Sequence, residues 1–287
     1  MGLVAGTTTE PDPVAQPSRA GRNLPAAIAV GVLLGGGVLV ALLTVRQIFV
    51  GIAAVAVGVA TFELAGALKR AAANIKVALW PALIGGQAMV WLAWPFEREG
   101  LLVAFVLTIF ACLVWRLPGG AAGYLRDISA SIFTVAYVPL FAAFAAMLVV
   151  PHDGRARVLS FLILVVSSDT GGYIAGVLFG RHPMAPSISP KKSWEGFAGS
   201  MTAGIVAGVL CLTLLLPGQW WQGALFGAGI VITATVGDLV ESLIKRDLGL
   251  KDMGQLLPGH GGLMDRLDSL LPSAVVSWLL LRLFIPA

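Results

Sequence analysis

The chain has 287 residues, 57% of them hydrophobic and only 12% charged, with a mean hydropathy of +0.89. Those figures exclude a water-soluble globule of ordinary composition and point to an integral membrane protein. The net charge of +4 reports membrane topology in such a chain, so no nucleic-acid partner is expected, and Cys112 and Cys211, both in apolar runs, suggest neither a disulfide framework nor a zinc site.

Residues 1–23 are rich in Pro, Thr, Gly and Ala and read as a disordered cytoplasmic tail before a single transmembrane catalytic domain, 24–287. The apolar run that follows continues past the short core of a signal peptide, so it is expected to stay as a span. Nine runs approach the roughly 20 apolar residues that a bilayer crossing needs. They are 25–44, 47–68, 77–94, 101–117, 131–150, 158–180, 198–216, 220–243 and 269–285. The predicted fold class is all-α: a polytopic membrane protein of about nine transmembrane helices. The stretch 119–130, with Tyr124, Arg126 and Asp127, reads as a short interfacial helix. Glycines such as Gly35–Gly37, Gly85, Gly86, Gly199, Gly204 and Gly208 are assigned to close helix packing, and Trp94, Trp220 and Trp221 to interfacial anchoring.

With nine spans, fourteen of the nineteen Lys and Arg fall on the side of the amino terminus. Arg46, Arg98, Arg155, Arg157 and Arg282 fall on the other, so the positive-inside rule places the amino terminus in the cytoplasm.

Three polar blocks interrupt the apolar pattern. Asp169 stands within the sixth run, beside Ser167, Ser168, Thr170 and two glycines, where an unpaired carboxylate is costly, so it is expected to face a polar cavity. In 187–199, Lys191, Lys192 and Ser193 offer two ammonium groups and a hydroxyl to phosphate, while Trp194 reads as an anchor and Glu195 as a helix cap. The third block, 242–268, is charged where its surroundings are oil: six of the fifteen acids lie between Asp238 and Asp268. Asp238 and Ser242 share a helix face, as do Asp265 and Asp268, and Gly259, Gly261 and Gly262 let a ligand approach the backbone. Paired carboxylates, exposed amides and basic side chains suit a magnesium polyphosphate. Among lesser candidates, Glu63 reads as structural, and His152 and His182 as solvated.

The run Ser242, Lys245, Arg246, Lys251, Asp252, Gly254, Pro258, His260, Gly261, Gly262, Asp265, Arg266 and Asp268 resembles the signature of the phosphatidate cytidylyltransferases, the CDP-diacylglycerol synthases, and covers about a tenth of the chain. Ser168–Gly171 and Ser189, Pro190, Lys192, Glu195 and Gly196 are similar to the same family. The resemblance implies that phosphatidic acid attacks the α-phosphorus of CTP and releases pyrophosphate, in phospholipid biosynthesis. It also implies Mg²⁺, with a second cation such as K⁺ admitted, a homodimer, and a place in the cell inner (plasma) membrane with the site on the cytoplasmic side.

On this reading Asp265 is the first choice as metal ligand, with Asp238, Asp252 and Asp268 as further candidates. Lys245, Arg246, Lys251 and Arg266 would hold phosphates, Lys191 and Lys192 would hold CTP or the lipid head, and Ser193, Ser242, Gly259, His260, Gly261 and Gly262 would line the nucleotide site. Asp169 and Asp268 join the catalytic set. Two rivals remain open: an ion-coupled transporter, which intramembrane acids and glycine-rich helices also suit, and a CTP-dependent enzyme acting on another lipid. Visible repeats and a Walker-type phosphate loop are lacking, which weighs against a carrier and an ATPase pump.

Overall fold

The computed structural model describes residues 35–71, 74–254, 256 and 261–286. The expected tail, the start of the first span, Pro258, Gly259 and His260 lie outside the described residues. Helices dominate: α1 (Gly35–Thr44), α2 (Arg46–Arg70), α3 (Leu79–Arg116), α4 (Tyr124–Val135), α5 (Phe141–Leu148), α6 (Gly154–Phe179), α7 (Trp194–Leu214), α8 (Trp220–Asp247), α9 (Met264–Leu267) and α10 (Leu270–Phe284). The all-α expectation needs one amendment, a short antiparallel hairpin of β1 (Pro183–Ala185) and β2 (Ser189–Ser193) between α6 and α7.

Seven helical stretches among the described residues are long and apolar enough to cross a membrane. One, Leu79–Gly119, merges two of the expected runs. A straight helix of that length would measure about 60 Å, twice the hydrocarbon thickness of a bilayer. It is not straight: Glu97 takes φ 45° and ψ −125°, two residues after Pro95, and the chain folds back so that Gly85 meets the Thr108 side chain. That contact requires the two halves to run side by side.

The expected interfacial helix at 119–130 is corrected. Tyr124–Leu148 forms one continuous stretch of crossing length, running from α4 through a π-helical segment at Ala136–Leu140 into α5. Pro139, which has no N–H, sits in that segment and accounts for the irregular ladder. Asp127 is tolerated at the head of this helix because Arg116 (2.6 Å), Arg126 (3.0 Å) and the backbone N–H of Lys76 surround its carboxylate.

The core joins α2, α5, α6, α8 and α10 through Leu64, Leu148, Leu164, Phe226 and Leu281. Where α6, α7 and α8 meet, small residues bring backbones into contact. Gly171 faces Gly199 and Ala203, Gly172 faces Gly196 and Ser200, and Gly204 and Gly208 face Gly223 and Gly227. Ser200 Oγ donates to the Ser168 carbonyl at 2.7 Å, closing the α6–α7 seam. Gly35, Gly36 and Gly37, expected to serve the same purpose, face open space among the described residues.

Polar contacts separate the two ends of the bundle. At one end Arg46 donates to the carbonyls of Pro151 and His152, Arg155 to that of Thr44, and Arg157 to that of Ile285. At the other, Arg116 meets Asp127 and Arg70 donates to the Met253 carbonyl. The polar blocks gather at this second end.

Candidate active site

The stretch 242–268 is not the loop that its composition suggests. Ser242, Lys245 and Arg246 ride on the last turns of α8, which runs on to Asp247, while Asp265 lies in α9 and Asp268 directly follows it. Lys245 and Arg246 complement the negative end of the α8 dipole. One face of α8 therefore carries Asp238, Glu241, Ser242 and Lys245 at helical spacing, and each end of this row meets a different block.

At the upper end Lys192 Nζ lies 2.6 Å from Asp238 Oδ2, and Ser242 Oγ is 3.5 Å from Asp238 Oδ1. This ion pair borders a cavity of about 300 Å³ between α6, α7 and α8, lined by Asp169, Lys191, Lys192, Ser193, Thr235 and Asp238 among others. The close helix seams bring the carboxylate of Asp169 and the two lysines to one place, as expected. Ser193 Oγ accepts from the Gly196 N–H at 3.1 Å and caps α7, leaving its O–H free to donate into the cavity. Glu195 is not that cap. Its carboxylate takes the backbone N–H groups of Arg181 and His182 and the His182 ring, so it shapes the turn into β1, and His182 is paired rather than merely solvated. Trp194 is 56% exposed, as an anchor requires.

At the lower end Lys245 Nζ bridges Glu241 Oε2 and Asp265 Oδ1, both at 3.0 Å. Asp265 also accepts from Met253 N (3.2 Å at Oδ1, 3.0 Å at Oδ2) and from Gly262 N (2.9 Å at Oδ2). These contacts come from three donors, the Met253 N–H being shared between the two oxygens, so most of the carboxylate's acceptor capacity is taken up within the protein. Asp265 thus staples the two sides of the 253–262 turn and holds Lys245 in register. Gly261, at φ 81°, passes close to the carboxylates of Asp252 and Asp265, in a backbone conformation that glycine takes without cost. Asp252, Lys251, Arg246 and Arg266 are exposed around this turn and do not converge with the cavity.

Asp268 lies between these two ends. Its Oδ1 accepts from the Ser269 N–H at 2.7 Å, and its neighbours are Glu241 and Asp238. Glu241 was not anticipated, although its spacing from Asp238 and Lys245 was a legible signal. It is fully buried, and among the described residues its Oε1 has no hydrogen-bond partner. Asp268 and Glu241 lie side by side here, an arrangement that a proton or a cation shared between them relieves. Among the described residues no three His, Cys, Asp or Glu side chains converge as a ready metal cage. A magnesium ion needs no such cage where one or two carboxylates and substrate phosphates complete its shell. The donor set of Asp238 and Asp268, with Glu241 behind them, fits that mode, while Asp265 is largely engaged by donors of the protein itself.

Similarity to known proteins agrees with this assembly. The model of the cytidylyltransferase family matches residues 25–284. The chain belongs to the cytidylyltransferase family. Relatives named phosphatidate cytidylyltransferase include a Mycobacterium bovis protein, 51% identical over 94% of this chain and 92% of its own, and a Mycobacterium leprae protein, 52% identical over 92% and 89%. A Haemophilus influenzae phosphatidate cytidylyltransferase is 38% identical over 42% of this chain and 43% of its own. For this cytidylyltransferase, then, the resemblance that rested on a tenth of the sequence extends over nearly the whole membrane domain.

Proposed function

We propose that this chain is a phosphatidate cytidylyltransferase of the lipid bilayer. A phosphate oxygen of phosphatidic acid attacks the α-phosphorus of CTP, the bond to the β-phosphate oxygen breaks, and CDP-diacylglycerol and pyrophosphate result. The observation that carries this reading is the near-full-length identity to the M. bovis phosphatidate cytidylyltransferase.

Both reactants are anions, so the protein's task is to hold them in line against their repulsion. Lys191 and Lys192 present ammonium groups at the cavity, and Ser193 adds a hydroxyl. Lys192 rests on Asp238 before phosphate arrives, which aims the ammonium inward. The Lys245 bridge and the Asp265 contacts hold residues 253 and 262 against the end of α8. Magnesium, when bound, neutralises phosphate charge in the transition state; Asp238 and Asp268 would hold it, with K⁺ as a second cation.

The remaining features belong to the same proposal: nine spans, counting the two halves of α3 and the first apolar run to which α1 belongs, a single catalytic domain, an amino terminus and active site on the cytoplasmic side of the inner (plasma) membrane, and a homodimer. The test is to supply purified protein in mixed micelles with CTP, Mg²⁺ and phosphatidic acid. CDP-diacylglycerol and pyrophosphate in equal amounts are expected. Absence of both, together with ion-coupled solute uptake in proteoliposomes, would overturn the proposal in favour of a carrier.

A further inference from the structure

Glu63 is a buried acid, 7% exposed, in an α2 whose neighbouring residues are apolar, and the chemistry above does not use it. Its Oε2 accepts from the Met264 N–H at 2.8 Å, the residue immediately before Asp265. Among the described residues its Oε1 has no hydrogen-bond partner, and the carboxylate lies so close to Gly254 and Gly262 that a Cβ on either would overlap it. Seven positions further along α2, Arg70 donates to the Met253 carbonyl at 2.6 Å. Met253 is thus gripped twice: its carbonyl by Arg70 and its N–H by Asp265.

Two carboxylates therefore work on one turn. Asp265 ties residue 253 to residue 262 within the turn, and Glu63 ties the same turn to the second helix at 264. A carboxylate buried in a membrane helix is expensive unless its contacts need it, and here the contact is a backbone N–H that helix geometry leaves unpaired at the start of α9. Gly254 is a glycine because the Glu63 head occupies the space of its side chain.

We propose that Glu63 is a positioning residue that anchors the signature turn to α2 and so sets the place of Asp265, Lys245 and Asp268 for the reaction. The effect on catalysis rests on the cytidylyltransferase reading, whereas the anchoring does not.

Two measurements test it. Hydrogen exchange at the Met264 amide should quicken at least about tenfold in Glu63→Ala, with the α10 amides unchanged, because that amide loses its acceptor. In the phosphatidic acid assay, Glu63→Ala should lower kcat at least about tenfold per folded molecule with KM values nearly constant, and Glu63→Gln, whose amide oxygen still accepts, should retain most of it. Gly254→Ala, which displaces the Glu63 head, should also lose activity, and Glu63→Ala/Gly254→Ala should fall no lower than about the level of Glu63→Ala alone, because both changes break the same contact. Unchanged exchange in Glu63→Ala overturns the anchoring whatever the activity; wild-type kcat in that variant, or losses that multiply in the double variant, overturns the catalytic effect. A wild type that makes no CDP-lipid while exchange responds as expected would instead fault the proposed reaction and leave the anchor standing.

Discussion

Lys192 and Asp238 show what a single pair decides here. They lie on different elements, 46 positions apart in sequence, and their 2.6 Å contact joins the hairpin to α8 at the mouth of the cavity. Replacing Lys192 with Met removes the ammonium and strands Asp238, so kcat/KM for CTP should fall at least about tenfold, a loss of roughly 1.4 kcal/mol. Initial rates at varied CTP check this; an unchanged kcat/KM would free Lys192 from phosphate binding. Asp265→Asn has a different signature. An amide offers one acceptor where two backbone N–H groups and Lys245 now bind, and hydrogen bonds to a charged group are worth about 1.5–3 kcal/mol each. Turnover should drop by about a hundredfold or more, with a melting temperature lowered by a few degrees, read by thermal unfolding in detergent beside the assay. Wild-type turnover in that variant would remove Asp265 from the site. At this scale the sequence marks the residue types well: Asp169, Lys191, Lys192, Asp238 and Asp268 do gather. It hides who partners whom, because Glu63 and Arg70 reach the turn from nearly 200 positions away and no local spacing announces them.

Elements are legible from apolar length and composition, and their ends are not. The charged stretch beginning at Ser242 reads as a loop, yet α8 continues to Asp247 because Lys245 finds two carboxylates and the last turn welcomes basic side chains. The charges of Arg126 and Asp127 likewise suggest an interfacial helix, while internal pairing lets them begin a crossing stretch. The small-residue seams make a prediction that belongs to whole helices. Gly208 lies against the backbones of Gly223 and Gly227, so Gly208→Leu must push α7 from α8. Overpacking of this kind costs about 1–3 kcal/mol, and the detergent melting temperature should fall by several degrees. Gly36→Ala, facing open space, should leave it unchanged or slightly raised. Equal melting of the two variants would contradict the seam.

The molecule as a whole is divided by charge. Arg46, Arg155 and Arg157 bond to backbone at one end, and the signature turn, Arg70, Arg116 and Asp127 occupy the other. The sequence anticipates this division through its count of basic residues, since each loop's composition is local information. Which end faces the cytoplasm is testable by labelling. Cys112 and Cys211 are buried, so new thiols can be read above a low background once those two are checked for silence. In intact cells Leu256→Cys should resist an impermeant maleimide and His152→Cys should react; the opposite pattern would invert the proposed topology.

The chemistry itself turns on which phosphorus of CTP moves. Purified protein given phosphatidic acid with CTP labelled at either the α- or the γ-phosphate separates the possibilities in one assay. Cytidylyl transfer puts the α-label in the lipid product and the γ-label in pyrophosphate. A γ-label recovered in lipid, with CDP as the soluble product, would mean a CTP-dependent kinase and would contradict the joining of two phosphates at the cavity between Asp169 and Asp238.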